Sequence, residues 1–321
     1  MLSYILFFIG FVLLIKGSDY LVEGSSYLAK KMGISDLVIG FTIVSIGTSA
    51  PEIIISFISS FQGQADIAIG DILGSNIVNI SLGIGIAAII WPVKVLRSTI
   101  KKEITFSFLA ILLLCLIANT SFDNSNPSTL SQIEGLFLSI LFIGFLFYII
   151  KQAKDNREKA ELTDSDNKFK NVKIATIAVI GGLIALNLGA KWVIDGAVKI
   201  SIAMGASQAF IGLTLVAIGT SLPEIVTCIM AALKRKSGII VGNIIGSNIL
   251  NILCALGFSA AIKEMPFYGK SNMDIFVNII ASCLLFIFIF IGKEKFTIEK
   301  KEGLLFVIFY CFYLVFLFFR G

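Results

Sequence analysis

The sequence predicts an all-α polytopic membrane protein of ten transmembrane helices arranged as two inverted repeats of five. Three observations carry that expectation. The 321-residue chain is 57% hydrophobic and only 15% charged, with a mean hydropathy of +0.94, far more apolar than an ordinary soluble domain. Its apolar residues fall into ten stretches separated by short polar segments. A polar motif set in apolar sequence occurs twice, as GFTIVSIGTSAPE followed by GDILGSNIVN and as GLTLVAIGTSLPE followed by GNIIGSNILN, at a constant offset of 172 positions.

Taken in order, the predicted spans are Leu2 to Tyr27, Ile34 to Ser60, Ile67 to Trp91, Ile104 to Ala118, Ile133 to Ile150, Val172 to Ala203, Ala206 to Leu233, Gly238 to Ile262, Met273 to Ile291 and Gly303 to Phe319. A helix needs about 20 apolar residues to cross the hydrocarbon core, and the fourth stretch is the shortest of the set. The opening MLSYILFF has no basic n-region and no small-residue cleavage site, so Leu2 onward reads as the first, uncleaved span.

The basic residues decide the orientation. With the N-terminus outside, the cytoplasmic loops hold 20 Lys and Arg and the outer ones four (Lys199, Lys263, Lys270, Arg320), with Lys16 and Lys191 inside spans. The positive-inside rule therefore predicts both termini outside and the central linker in the cytoplasm of a plasma-membrane protein. Because the basic residues are confined to loops, the net charge of +5 points to no nucleic-acid partner.

The offset of 172 runs without a gap from about Gly17/Gly189 to Trp91/Lys263. Nine of 13 positions match over Gly40 to Glu52, and eight of 14 over Gly70 to Gly83. Five spans per copy is an odd number, so the second copy must enter the membrane upside down, an arrangement found in secondary transporters whose substrate site lies at the midplane. The predicted organisation is a first repeat over 1–150, a polar cytoplasmic linker over 151–171 and a second repeat over 172–321. The linker's Asp164 and Asp166 lack the glycine and distal glutamate of a calcium loop and read as solvated charge.

Histidine is absent, which removes His proton relays, Ser-His catalysis and His-ligated zinc together. The five cysteines sit in apolar segments without C-x-x-C spacing and read as small buried hydrophobes. Gly70-Asp71 is preceded by Ala68, which spoils the G-x-G-D signature of an intramembrane aspartyl protease. The chain is thus expected to be a transporter and not an enzyme.

Each copy of the motif supplies one glutamate and several neutral oxygens: Thr48, Ser49, Glu52, Ser75 and Asn79 in the first, Thr220, Ser221, Glu224, Ser247 and Asn251 in the second. An acid in the bilayer interior costs about 2.5 kcal/mol or more, so it is kept for a function. Ser49-Ala50-Pro51-Glu52 and Ser221-Leu222-Pro223-Glu224 have the S-x-x-E spacing of a capping box with proline in the first turn, so each span should break into two half-helices. Proline also frees carbonyls four residues back, around Ser45 to Gly47 and Ala217 to Gly219. Thr48 with Glu52, and Ser75 with Asn79, share a face at i,i+4. Ca²⁺ takes about 6 to 8 oxygens at ~2.4 Å, which this set can supply. One Ca²⁺ on two ionised glutamates gives a neutral site, whereas three Na⁺ leave it about one charge positive. Two membrane glutamates could also carry protons, which leaves a Ca²⁺/H⁺ exchanger as the alternative.

The pair G-T-S-x-P-E and G-S-N-x-x-N, duplicated in two halves, resembles the cation/Ca²⁺ exchanger superfamily, specifically the prokaryotic sodium/calcium exchangers with paired alpha repeats. The likeness extends over essentially the whole chain. It implies a core of spans two, three, seven and eight, with spans one and six sliding across it, and Na⁺ and Ca²⁺ as transported ions with no cofactor and a monomer as the working unit. It also implies that the ligands are the ten residues named above with the backbone carbonyls of Ser45 and Ala217. Asn251 stands where potassium-dependent members carry aspartate, so the resemblance implies potassium independence. Asp71, opposite Asn243, is not a ligand position in that family.

Overall fold

Long apolar segments without internal breaks form the outer helices of the computed structural model, which describes residues 2–119, 128–155, 169, 171–203, 217–267 and 269–320. Helix α1 (Leu2–Met32) ends at Gly33, whose φ of 66° is the left-handed geometry that closes a helix, with Ile34 N–H donating back to Ala29 O at 2.9 Å. Lys30 and Lys31 sit in its last turn, where the helix dipole favours cations. Ser35 then caps the next helix, its hydroxyl accepting from Val38 N–H at 3.3 Å.

That helix, α2 (Asp36–Thr48), meets α3 (Ala50–Phe61) at a bend of 48°. The chain continues through α4 (Ala65–Ile90), β1 (Val93–Lys94), a short turn of helix from Arg97, α5 (Thr105–Asn119), β2 (Ser128–Leu130) and α6 (Gln132–Asp155). The second half follows with α7 (Val172–Ala203), α8 (Ala217–Thr220), α9 (Leu222–Leu233), α10 (Ser237–Ile262), β3 (Met265–Phe267), α11 (Gly269–Ile291), β4 (Thr297–Ile298) and α12 (Lys300–Arg320). Two antiparallel strand pairs, β1 with β4 and β2 with β3, tie helix ends across the sequence.

The protein is all-α apart from these short pairs, and it is an integral, multi-pass membrane protein. Among the described residues seven helices are long and apolar enough to cross a membrane, or eight with the bent pair α2/α3 taken as one span. The predicted span Ala206 to Leu233 is described only from 217, and Asp164 and Asp166 of the linker lie outside the described residues. Helix α5 covers the predicted fourth span and is continuous with the charged turn from Arg97, through Lys101, Lys102 and Glu103.

Burial sorts the helices into centre and rim. Buried residues make up 83% of the apolar stretch of α4 and 94% of that of α10, against 33% in α1 and 28% in α7. The rim helices instead present Phe8, Ile177 and Phe319 outward, as a surface in contact with lipid should. Helices α1 and α7 run antiparallel in close contact: a Cβ on Gly17 would meet Gly182 O at 2.8 Å, and one on Gly10 would meet Gly189 O at 2.8 Å. Small residues that let backbones approach are the usual means of helix association in lipid, where no hydrophobic effect drives it.

Helix α2 packs on α10 in the same way, since a Cβ on Gly242 would meet Leu37 O at 2.5 Å. The intramembrane charges of α1 are held by Lys234 at the end of α9, which pairs with Asp19 at 2.5 Å and with Glu23. The five cysteines are free, but of the buried hydrophobes expected only Cys228 is fully buried: Cys115, Cys254 and Cys283 are half-buried, and Cys311 is exposed on the rim helix α12.

Candidate cation site

The four segments that bring polar groups together are the α2/α3 junction, the α8/α9 junction and the middles of α4 and α10. In both α4 and α10 the hydrogen-bond ladder changes from α to π there, over Asn79–Ile84 and over Leu250–Leu256, and α2 carries a third π turn at Gly40–Val44 just before Ser45. Single π turns inside α-helices recur at functional sites because the extra residue re-aims neighbouring side chains and carbonyls.

Both glutamates are fully buried, and so are Ser45, Thr48, Ser49, Ser75, Asn79, Ser221, Ser247 and Asn251, while Thr220 is 5% exposed. The two halves reach into each other. Ser49 of the first half donates to Glu224 Oε1 at 2.9 Å and lies 2.8 Å from Ser247 Oγ. Ser75 donates to Glu52 Oε1 at 3.4 Å. The Thr48 hydroxyl is 3.0 Å from Asn243 Oδ1, and Thr220 at the matching position hydrogen-bonds Asp71. Glu52 and Glu224 lie within electrostatic reach of each other, and both feel the charge of Asp71.

What these groups leave open is as informative as what they bind. Glu52 Oε2, Glu224 Oε2, Ser221 Oγ, Asn79 Oδ1, Asn251 Oδ1 and Asp71 Oδ2 are all buried oxygens without a hydrogen-bond partner among the described residues. Buried acceptors without partners are costly, and buried carboxylate oxygens more so. Five of these oxygens, two of them carboxylate, belong to predicted ligands and are of the kind that hard cations take. Among the described residues no three His, Cys, Asp or Glu side chains gather as a metal cluster.

The capping box expected at Ser49 and Ser221 does not form: neither side chain caps its helix, although Pro51 and Pro223 do occupy the first turns of α3 and α9. Ser49 (φ −82°, ψ 9°) and Ser221 (φ −86°, ψ 5°) lack the extended backbone of a side-chain N-cap, and the Ser49 hydroxyl donates across to Glu224. Ser45 O accepts from Ser49 N–H at 3.0 Å and from the Thr48 hydroxyl at 3.3 Å. The carbonyl that Pro51 leaves without its helical donor is Gly47 O, and Asn187 of α7 takes it at 3.2 Å. Ala217 opens α8, the segment that ends at Thr220.

Sequence reasoning missed Asn187, Asn243, Asn76 and Asn248. The last two are the asparagines of G-S-N itself, one position after each proposed serine, and their recurrence in both copies was the available signal. Lys191 and Asp195, spaced i,i+4 on α7, form no ion pair among the described residues. They line a cavity of about 590 Å³ with Asn187, Pro51 and Thr220.

The whole architecture has relatives. A family model described as sodium/calcium exchanger protein matches residues 2–151 and 174–319. A sodium/calcium exchanger of Methanosarcina acetivorans is 32% identical over 351 residues, covering 99% of this chain and 99% of its own. An uncharacterized membrane protein of Methanocaldococcus jannaschii is 35% identical over 304 residues, covering 95% and 94%. A solved structure of the sodium-calcium exchanger NCX_Mj, soaked with 2.5 mM Na⁺ and 0.1 mM Ca²⁺, superposes with a TM-score of 0.82 at 35% identity over 98% of both chains.

Proposed function

Because the chain belongs to the sodium/calcium exchanger protein family, we propose that it is an antiporter that exchanges one Ca²⁺ for about three Na⁺ by alternating access. The observation that carries this reading is the pair of fully buried glutamates, one from each half, each with one oxygen that has no partner among the described residues. The proposed ligands are Thr48, Ser49, Glu52, Ser75, Asn79, Thr220, Ser221, Glu224, Ser247 and Asn251, with the carbonyls of Ser45 and Ala217.

The mechanism follows from charge. Two ionised carboxylates in a desolvated pocket repel each other, so the empty site resists crossing a low-dielectric barrier. One Ca²⁺ neutralises them. Several Na⁺ occupy the same oxygens and cannot do so while Ca²⁺ is present, which couples the two fluxes. At three Na⁺ per Ca²⁺ one net charge moves per cycle, and 100 mV contributes about 2.3 kcal/mol to it.

The same reading takes the protein as ten spans in inverted repeats, over 1–150 and 172–321 with the linker 151–171 between them, and both termini outside the cell membrane. Contacts that exchange under the offset of 172 support it: Gly10 with Gly189 maps onto Gly182 with Gly17. No enzymatic step is required of it, and a monomer contains the complete ligand set.

The test is ⁴⁵Ca²⁺ uptake into proteoliposomes loaded with Na⁺, K⁺ or acid. Uptake driven by an outward Na⁺ gradient and made faster by an inside-positive potential is expected. Uptake driven by a proton gradient and indifferent to Na⁺ would replace this reading with Ca²⁺/H⁺ exchange.

A further inference from the structure

Asn76 and Asn248 stand at the centre of the molecule, 1% and 2% exposed, and neither belongs to the ligand set. Each donates its amide to the other's main chain: Asn76 Nδ2 to Asn248 O at 3.3 Å, and Asn248 Nδ2 to Asn76 O at 3.5 Å. A backbone carbonyl can only accept, so these two bonds fix which way both side-chain amides face. The side-chain oxygens are thereby left as acceptors. Asn79 donates its amide to Asn248 Oδ1 at 3.1 Å, and Asn251 donates to Asn76 Oδ1 at 3.0 Å. With their nitrogens so committed, Asn79 and Asn251 must turn their carbonyl oxygens away from the pair, and those are the buried oxygens without a partner.

We propose that Asn76 and Asn248 are positioning residues of the exchange site: reciprocally stapled across the two halves, they lock the side-chain amides of Asn79 and Asn251 with oxygen, not nitrogen, facing the cations. The inference rests on the reading of Asn79 and Asn251 as ligands. Its physical content is that a neutral asparagine is a two-faced ligand. Rotated by half a turn, it presents an NH₂ with partial positive charge to the ion, so an unlocked amide loses an attraction and adds a repulsion. A carboxylate has no wrong face, and a ligand at the same position with two oxygens needs no such lock.

That difference supplies the test, a double-mutant cycle in the full-length protein read by equilibrium ⁴⁵Ca²⁺ binding in Na⁺-free detergent solution, with thermal melting of each ion-free variant alongside. Asn248→Leu keeps the approximate shape and removes both hydrogen-bonding functions. With Asn79 present it is expected to weaken Ca²⁺ binding about tenfold, equivalent to about 1.4 kcal/mol. In an Asn79→Asp background the same change should cost less than about twofold in Ca²⁺ binding, and the melting temperatures of the ion-free variants report separately the stability lost with the Asn79–Asn248 hydrogen bond. Equal losses of Ca²⁺ binding in both backgrounds, or no loss in either, overturn the proposal.

Should Asn248→Leu fail to fold, Asn248→Asp serves, since it retains an oxygen to receive the Asn79 amide. Ca²⁺ binding kept at or above the wild-type level is expected, and a tenfold loss overturns the proposal. Failure of the underlying reading looks different: Asn79→Asp and Asn79→Ala would then both leave Ca²⁺ binding unchanged with Asn248 intact.

Discussion

Glu52 and Glu224 sit in near-identical sequence, yet their surroundings differ. Glu224 is held: Ser49 donates to it at 2.9 Å, Ser247 stands beside Ser49, and Asn243 reaches its main-chain oxygen at 3.5 Å. The side chain that holds Glu52 is Ser75, at a longer 3.4 Å, and Ser221, the counterpart of Ser49, has a hydroxyl with no partner among the described residues. The pair Thr48 with Asn243 is fully buried and neutral, while the matching pair Thr220 with Asp71 carries a half-buried acid. Duplicated sequence therefore builds two half-sites that are not in the same state. Each carboxylate keeps one oxygen without a partner among the described residues, but the bonded oxygen of Glu224 is held by the shorter contact. The proposed alternating access calls for such a difference in any single state.

The largest effect expected removes the comparison altogether. Glu52→Gln and Glu224→Gln should each cut Na⁺-driven ⁴⁵Ca²⁺ uptake by more than about 100-fold, equivalent to ~2.7 kcal/mol. Retention of transport in either variant would break the equivalence of the two acids.

Next in size is an exchange of the residues that distinguish the halves. Asn243→Asp sets an acid at a fully buried position in contact with Thr48 and close to Glu224, and should cost about 3 kcal/mol or more of stability, seen as a fall in melting temperature. Asp71→Asn gives the first half the residue its counterpart already has. It should fold normally and change apparent Ca²⁺ affinity by only about three- to tenfold, equivalent to ~0.6–1.4 kcal/mol.

A pair of serine substitutions sharpens the contrast most. Without ions, Ser49→Ala should destabilise by about 1–2 kcal/mol, because it strips hydrogen bonds from Glu224 and Ser247, whereas Ser221→Ala should stay within ~0.5 kcal/mol. With saturating Ca²⁺ both should reduce the ion-induced rise in melting temperature, since both hydroxyls are proposed ligands. Equal effects in the ion-free protein would contradict the difference between the half-sites.

The duplication, the membrane class and the two acids were legible because each is a departure from the surrounding apolar sequence that needs no geometry to detect. The capping box fails for a physical reason: the S-x-x-E spacing is local, but the bend leaves Ser49 and Ser221 at ψ of 9° and 5°, outside the extended geometry a side-chain cap needs, a feature that spacing does not encode. Asn187 was hidden because its partner, Gly47 O, comes from another helix and its own repeat counterpart is Ile15, so the duplication gives no signal there. Asn76 and Asn248 lie three residues before Asn79 and Asn251, a spacing that shares a helix face, but their partners are main-chain carbonyls of the other half, which no local pattern announces.

The central claim is that Na⁺ and Ca²⁺ occupy the same oxygens between the two glutamates. Equilibrium binding of ⁴⁵Ca²⁺ to the purified protein, titrated with Na⁺ at constant ionic strength, tests it most directly. Full competitive displacement with a steep, cooperative dependence on Na⁺ is predicted, with K⁺ ineffective. Ca²⁺ that stays bound at saturating Na⁺, or is displaced equally by K⁺, would contradict it.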